Sequence, residues 1–232
     1  MAIYAIGDLH LSFGKNKPMD IFGDNWIDHH EKIKKSWMET VKEDDTVLIP
    51  GDFSWAMNLK DTYEDFEYLT NLSGKKLILK GNHDYWWTTL TKMRKYLKEN
   101  NFKDIDFLYN NSYLVEDKII AGTRGWSEQE EKAEKIIKRE NSRLEGSLLD
   151  GIRKYGEDKE IIVCMHYPPF NSFEELSLSF IKTMKKYNVK MCIYGHIHGK
   201  EAHKEAKQGL IDEIEFKLVS ADYTDFKVVK IA

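Results

Sequence analysis

Lys76-Leu77-Ile78-Leu79-Lys80, followed directly by Gly81-Asn82-His83-Asp84, is an aliphatic run that stops on a glycine and three polar side chains. The run is short, apolar and bounded by turn residues, which reads as a buried strand. Tyr85-Trp86-Trp87 and a helical pattern to about Glu99 come next, so the polar residues sit at the strand's carboxyl end. Ligands bind at that end of open α/β sheets. An amide, an imidazole and a carboxylate together are more than a structural turn needs, although the stretch taken alone also reads as a polar turn with a helix cap.

The same construction recurs upstream. Ala2 to Ile6 is a strand that runs into Gly7-Asp8-Leu9-His10, and in extended chain Asp8 and His10 point to one side. Residues 11 to 24, with Gly14, Pro18 and Gly23, form a loop over that strand end. From Trp26 to Val41 the apolar residues Ile27, Ile33, Trp37 and Val41 have helical spacing. His29 and His30 lie near the start of this helix and cannot share one face; they read as helix-start polarity, with a site-facing role open for one of them. Thr46 to Pro50 is a second strand, ending in Gly51-Asp52, and the next helix passes through Tyr63, Phe66 and Leu69 to Gly74. Strand and helix in alternation predict a doubly wound α/β core with right-handed crossovers.

Downstream, Phe107-Leu108-Tyr109, Tyr113-Leu114-Val115 and Ile119-Ile120-Ala121 read as neighbouring strands, antiparallel in part. They lead to Gly122-Thr123-Arg124-Gly125-Trp126, and a charged helix is predicted from about Ser127 to Tyr155. A strand from Glu160 to Met165 delivers His166-Tyr167-Pro168-Pro169. After a helix near Ser179 to Tyr187, Lys190 to Tyr194 delivers Gly195-His196-Ile197-His198-Gly199. Residues 215 to 219 and 225 to 231 read as closing antiparallel strands.

The chain has 232 residues, 41% apolar and 32% charged, with no Gly/Ser-rich or Pro-rich linker, so a single domain over 1–232 is expected. A chain of this size buries about 70 to 75% of its unfolded surface. Thirty-five basic against 39 acidic residues leave a net charge of −4, which offers no general attraction to nucleic acid or anionic membrane. The start, Met1 to Ile6, lacks a basic n-region and a cleavage site, and no apolar run approaches membrane-spanning length, so a cytoplasmic protein is expected. Cys164 and Cys192, each inside an apolar run, are expected to be buried and reduced.

The strand ends bring forward Asp8, His10, Asp52, Asn82, His166, His196 and His198. This mix of carboxylate, amide and imidazole suits a pair of divalent transition metals. Two such ions can clamp an oxyanion and activate a water. The ordered blocks DLH, GD, GNHD, HYPP and GHIH, running from Asp8 to His198, resemble the calcineurin-like metallophosphoesterase superfamily, with the local text around Pro50 to Met57 and Gly81 to Trp87 similar to a bacterial branch of cytosolic predicted phosphohydrolases.

The resemblance implies a four-layer αββα sandwich. It implies that Asp8, His10 and His198 bind one ion, that Asn82, His166 and His196 bind the other, and that Asp52 bridges. Manganese is the favoured ion, ahead of iron or zinc. The resemblance further implies attack by metal-bound hydroxide on a phosphate ester, with His83 protonating the leaving oxygen and Asp84 orienting His83. Where protein phosphatases of the superfamily have Asp-Arg-Gly, this chain continues from Asp52 as Phe53-Ser54-Trp55, so a small phosphorylated substrate, a diester ahead of a monoester, is expected. Arg124 is a candidate phosphate contact, with a surface salt bridge as its alternative use. Trp55, Trp86, Trp87 and Trp126 are candidates either for stacking a nucleotide-like group or for the core, and His203 reads as surface polar. A scaffold or binding module that keeps this fold without turnover is the alternative function.

Overall fold

The computed structural model describes residues 1–15, 17–170 and 179–232. In chain order the described strands are β1 (Ile3–Ala5), β2 (Thr46–Ile49), β3 (Lys75–Leu79), β4 (Ile105–Leu108), β5 (Tyr113–Val115), β6 (Lys118–Thr123), β7 (Glu160–Met165), β8 (Met191–Tyr194), β9 (Gly209–Ile211), β10 (Ile214–Leu218) and β11 (Val229–Lys230). The helices are α1 (His29–Thr40), α2 (Tyr63–Thr70), α3 (Leu90–Glu99), α4 (Ala133–Tyr155), α5 (Phe180–Lys186) and α6 (Lys200–Glu205).

Side-chain alternation along the strands decides the layering. Ile3, Ala5, Leu48, Leu77 and Leu79 point into a core shared with Ile120, Ile162, Cys164 and Ile193, which is the interface between two sheets. The other faces, through Val47, Ile49 and Ile78, pack on Ile33 and Trp37 of α1, Phe66 of α2 and Met93 of α3. On the far side Ile119, Val163 and Cys192 pack on Leu144 and Leu148 of α4 and Phe180 of α5. Both faces of each central strand are therefore covered, which is why these strands read as unbroken aliphatic runs. The result is a four-layer αββα sandwich. Each fully buried aliphatic side chain in it contributes about 1.5–3 kcal/mol relative to exposure.

One sheet has the order β11-β1-β2-β3-β4 and the other β5-β6-β7-β8-β10-β9. Alternating strands and helices predict one doubly wound core; the chain instead builds one sheet up to β4 and starts a second at β5. Phe107 to Tyr109 and Tyr113 to Val115 are thus not neighbours: β4 pairs parallel with β3, and β5 pairs antiparallel with β6. The closing segments are also corrected in part, since β10 runs parallel to β8 while pairing antiparallel with β9, and β11 pairs antiparallel with β1. Helix α4 begins at Ala133 and α1 at His29, each a few residues later than the periodicity alone suggests. Both cysteines are free and buried. Among the described residues no helix is long and apolar enough to cross a membrane.

The two sheets are tied together at the edge where their parallel strands end. Gly7 donates its N–H to Val219 O at 2.7 Å, Ala221 donates to Gly7 O at 3.0 Å, and the His166 ring bonds Pro50 O at 2.9 Å. These links position residues after β1 and β2 against those after β7 and β10.

Candidate metal centre

Asp8, His10, Asp52 and His196 have positive φ, at 58°, 46°, 50° and 74°. A non-glycine residue held there costs about 1–3 kcal/mol, and such strain gathers at functional sites. Backbone bonds enforce it: Asp8 N donates to Gly51 O at 3.0 Å and His10 N to Asp52 O at 2.9 Å. Asp8 and His10 therefore meet through a left-handed turn beyond β1, not through alternation along an extended strand as the spacing suggests. Gly81 and Gly195 allow the close approach. A Cβ on Gly81 would overlap the Asp52 carboxylate and backbone N, and one on Gly195 would overlap Asp8 Oδ2.

The donor atoms fall into two groups. His10 Nε2 and His198 Nε2 are 3.3 Å apart, with Asp8 Oδ1 3.7 Å from His198 Nε2. Asn82 Oδ1 lies 2.6 Å from His166 Nε2 and 3.0 Å from His196 Nδ1. Asp52 Oδ2 is 3.7 Å from His10 Nε2 and 3.6 Å from His166 Nε2, between the two groups. Asp8 also lies close to Asp52 and His166, so the buried carboxylates are shared by both groups.

Electrostatics fit a cationic occupant. Burial raises Asp8 to about 7, with Asp52 adding repulsion, and burial raises Asp52 as well. Burial also holds His10 well below its ordinary value and His166 at about 3. Burial opposes charge on His198, but the Asp222 and Asp8 carboxylates outweigh it and raise this ring to about 9. Carboxylates packed together in a buried place are costly without further positive charge, and the imidazoles held neutral keep a lone pair for a cation. The rings are also pre-set: His166 Nδ1 faces Pro50 O and His198 Nδ1 faces Asp222 Oδ1 at 2.8 Å, which leaves Nε2 of each turned to the cluster.

A family model for calcineurin-like phosphoesterases matches residues 1–200. The chain belongs to that family. The Asp and His groups above are candidate metal ligands for a member of this phosphoesterase family. A Mycobacterium phage L5 protein, the Gene 66 protein, is 30% identical over 77 residues, which is 33% of this chain and 37% of that protein; the match spans little more than a third of that relative. Two solved structures share the fold: the TT1561 protein of Thermus thermophilus, at TM-score 0.58 and 12% identity over 99% of this chain and 97% of that one, and AQ665 of Aquifex aeolicus, a protein of unknown function, at TM-score 0.53 and 18% identity over 99% and 95%.

Within this calcineurin-like phosphoesterase the GNHD block departs from one expectation. Asp84 does not hydrogen-bond the His83 ring. Its carboxylate accepts from the backbone N–H groups of Asp52, Phe53, Ser54 and Gly81 and from Trp86 Nε1. A fully buried carboxylate surrounded by backbone donors organises the turn that holds Asp52 and has no capacity left for His83. The His83 Nδ1 atom is buried without a hydrogen-bond partner, while its backbone N–H donates to Asp52 Oδ1 at 2.8 Å. Its ring lies 4.4 Å from the Trp55 ring, and burial lowers its pKa against the opposing pull of Asp52.

The tryptophans divide. Trp86 and Trp87 are core residues. Trp55 stacks on His10 at 4.9 Å and lines a cavity of about 770 Å³ with Trp26, Phe22, Phe226, His83 and His198. Lys17 Nζ sits 2.9 Å above the Trp55 ring centroid, a cation beside His83 that loop 11 to 24 gives no reason to single out. Arg124 is absent from that cavity. Its guanidinium stacks on Trp126 at 4.5 Å and its carbonyl accepts from Tyr167 N at 2.9 Å. His29 is buried, with its ring nitrogens at Leu9 O and Trp26 O, so it braces the DLH turn, and His30 packs on Phe13.

Asp222 is the chief residue missed by sequence reasoning. It bonds His198 Nδ1 and Gly199 N, and lies 3.4 Å from the His203 ring, so His203 belongs to this network and not to the open surface. Asp222 lies four residues beyond the end of β10, and only the fold brings it to His198. Tyr167, whose ring is 4.1 Å from His196, enters the sequence reading only as part of a block.

Proposed function

We propose that this chain is a dinuclear metal-dependent phosphodiesterase whose substrate carries a flat, nucleotide-like group. The observation that carries the reading is Asp52 standing between two donor groups, of which His10 and His198 also line an aromatic cavity. Asp8, His10 and His198 would hold one divalent cation, Asn82, His166 and His196 the other, with Asp52 common to both; manganese is the first candidate. Such ions neutralise phosphoryl oxygens and make a nucleophile available at neutral pH.

The protein's own residues do the rest. His83, at the cavity's edge, gives a proton to the leaving oxygen. Burial disfavours its charged form, but a phosphate arriving above Asp52 adds negative charge that favours it. Trp55 and Trp26 contribute to an apolar lining suited to a planar leaving group, with Lys17 held over the Trp55 ring. The residues after Asp52, Phe53 and Ser54, are fully buried, so that turn extends no arginine toward phosphate; this supports a diester over a phosphoprotein.

The test is hydrolysis of a nitrophenyl phosphodiester and the matching monoester by chelator-stripped protein reloaded with Mn²⁺. Metal-dependent preference for the diester is expected. Preference for the monoester overturns the diester assignment, and no turnover with two ions bound points to the scaffold alternative. Asp222→Asn is expected to weaken one of the two metal sites about 10–100-fold, as loss of a carboxylate behind a ligating histidine does. Chelator competition measures it, and two unchanged affinities would remove Asp222 from the centre.

A further inference from the structure

A second cavity, of about 330 Å³, includes Lys80, Thr123, Arg124, Arg139, Glu140 and Arg143 in its lining. Lys80 immediately precedes the GNHD block, and the Arg124 carbonyl accepts from the backbone N–H of both His166 and Tyr167, so the cavity adjoins the candidate site through the backbone.

Four cations surround one carboxylate here. Glu140 is 1% exposed and spends itself on holding the others in place: Oε1 accepts from Arg143 at 2.7 Å and Arg139 at 3.2 Å, and Oε2 accepts from Thr123 Oγ1 at 2.7 Å. Lys80 and Arg124 have no ion pair among the described residues, and both are half-buried. Burial and the neighbouring arginines push both below their ordinary values. A fixed, partly desolvated excess of positive charge is what an anion relieves, and two arginines anchored through a buried glutamate form a pre-set fork for oxyanions.

We infer that this cavity binds a phosphate group outside the metal centre, as a subsite for a second phosphate of the substrate. Its link to the substrate rests on the phosphodiesterase reading above. Anion binding itself does not.

Titration of the chelator-stripped full chain with inorganic pyrophosphate, followed calorimetrically, tests the site without metals. One equivalent should bind, about tenfold or more weakly in Lys80→Gln/Arg143→Gln, the scale of losing charge-assisted hydrogen bonds, and undiminished in Asp52→Asn. Absence of binding, or equal affinity in the double variant, overturns the proposal. Should the double variant not fold, the half-exposed Arg139→Gln serves, with weaker binding expected and unchanged binding contrary. With Mn²⁺ restored, a thymidine dinucleotide bearing a 5′-phosphate should have a lower KM than the same dinucleotide without it, and the double variant should lose the difference. Pyrophosphate binding without that KM advantage would overturn the assignment to the substrate and leave a free phosphate as occupant. Failure to cleave either dinucleotide, with pyrophosphate still bound, would instead sink the phosphodiesterase reading.

Discussion

Asp52→Asn is expected to lower metal-dependent phosphoester hydrolysis by about 10³-fold, the upper end of what loss of one preorganised electrostatic partner costs. The substitution keeps the side chain's shape, and the remaining amide oxygen can still accept the His83 N–H that Oδ1 accepts at 2.8 Å. What disappears is the negative charge whose Oδ2 lies within 3.7 Å of His10 Nε2 and 3.6 Å of His166 Nε2. Bound metal, counted by atomic emission, should fall from two ions per chain. Stability should move the other way. Asp52 raises the pKa of both Asp8 and Asp84, so the metal-free protein carries carboxylates that repel one another in a buried place. Chelated Asp52→Asn should therefore melt at or above the chelated parent. A variant that lost activity and melted far lower would place Asp52 in the architecture of the fold, not in its chemistry.

His83→Ala should cost about 10²–10⁴ in kcat for an alkyl leaving group, the range of a positioned general acid, and much less for nitrophenolate, which departs without a proton. That contrast separates proton donation from packing, because loss of the ring beside Trp55 would harm both substrates alike. Equal losses on the two would remove His83 as the acid. Metal affinity should be unchanged, since the His83 ring is in neither donor group.

Much of the layering was legible because buried strands carry their own pattern. Leu77-Ile78-Leu79 and Ile161-Ile162-Val163 are aliphatic at every position, which only a strand covered on both faces requires. The polar residues after them marked the carboxyl ends. Which strands share a sheet was not legible, since periodicity reports burial and not partner; the break between β4 and β5 follows a short polar stretch at Asn110 and Asn111 that looks like any tight turn.

The candidate ligands Asp8, His10, Asp52, Asn82, His166, His196 and His198 stand out by residue type and position at strand ends, properties that are local in the chain. Orientation and second contacts are not local. Asp84 reads as the partner of His83 because the two adjoin in sequence, yet its oxygens are taken by backbone donors of a turn about 30 residues earlier. Asp222 escapes a sequence reading because nothing adjacent to it explains its use, and only folding brings it to His198. Which segments are buried and which chemical groups stand at their ends could be read from residue order, because hydrophobicity and donor type belong to single residues. Tertiary structure alone decided which of those groups touch, since a carboxylate's partners are set by which donors reach its few lone pairs first.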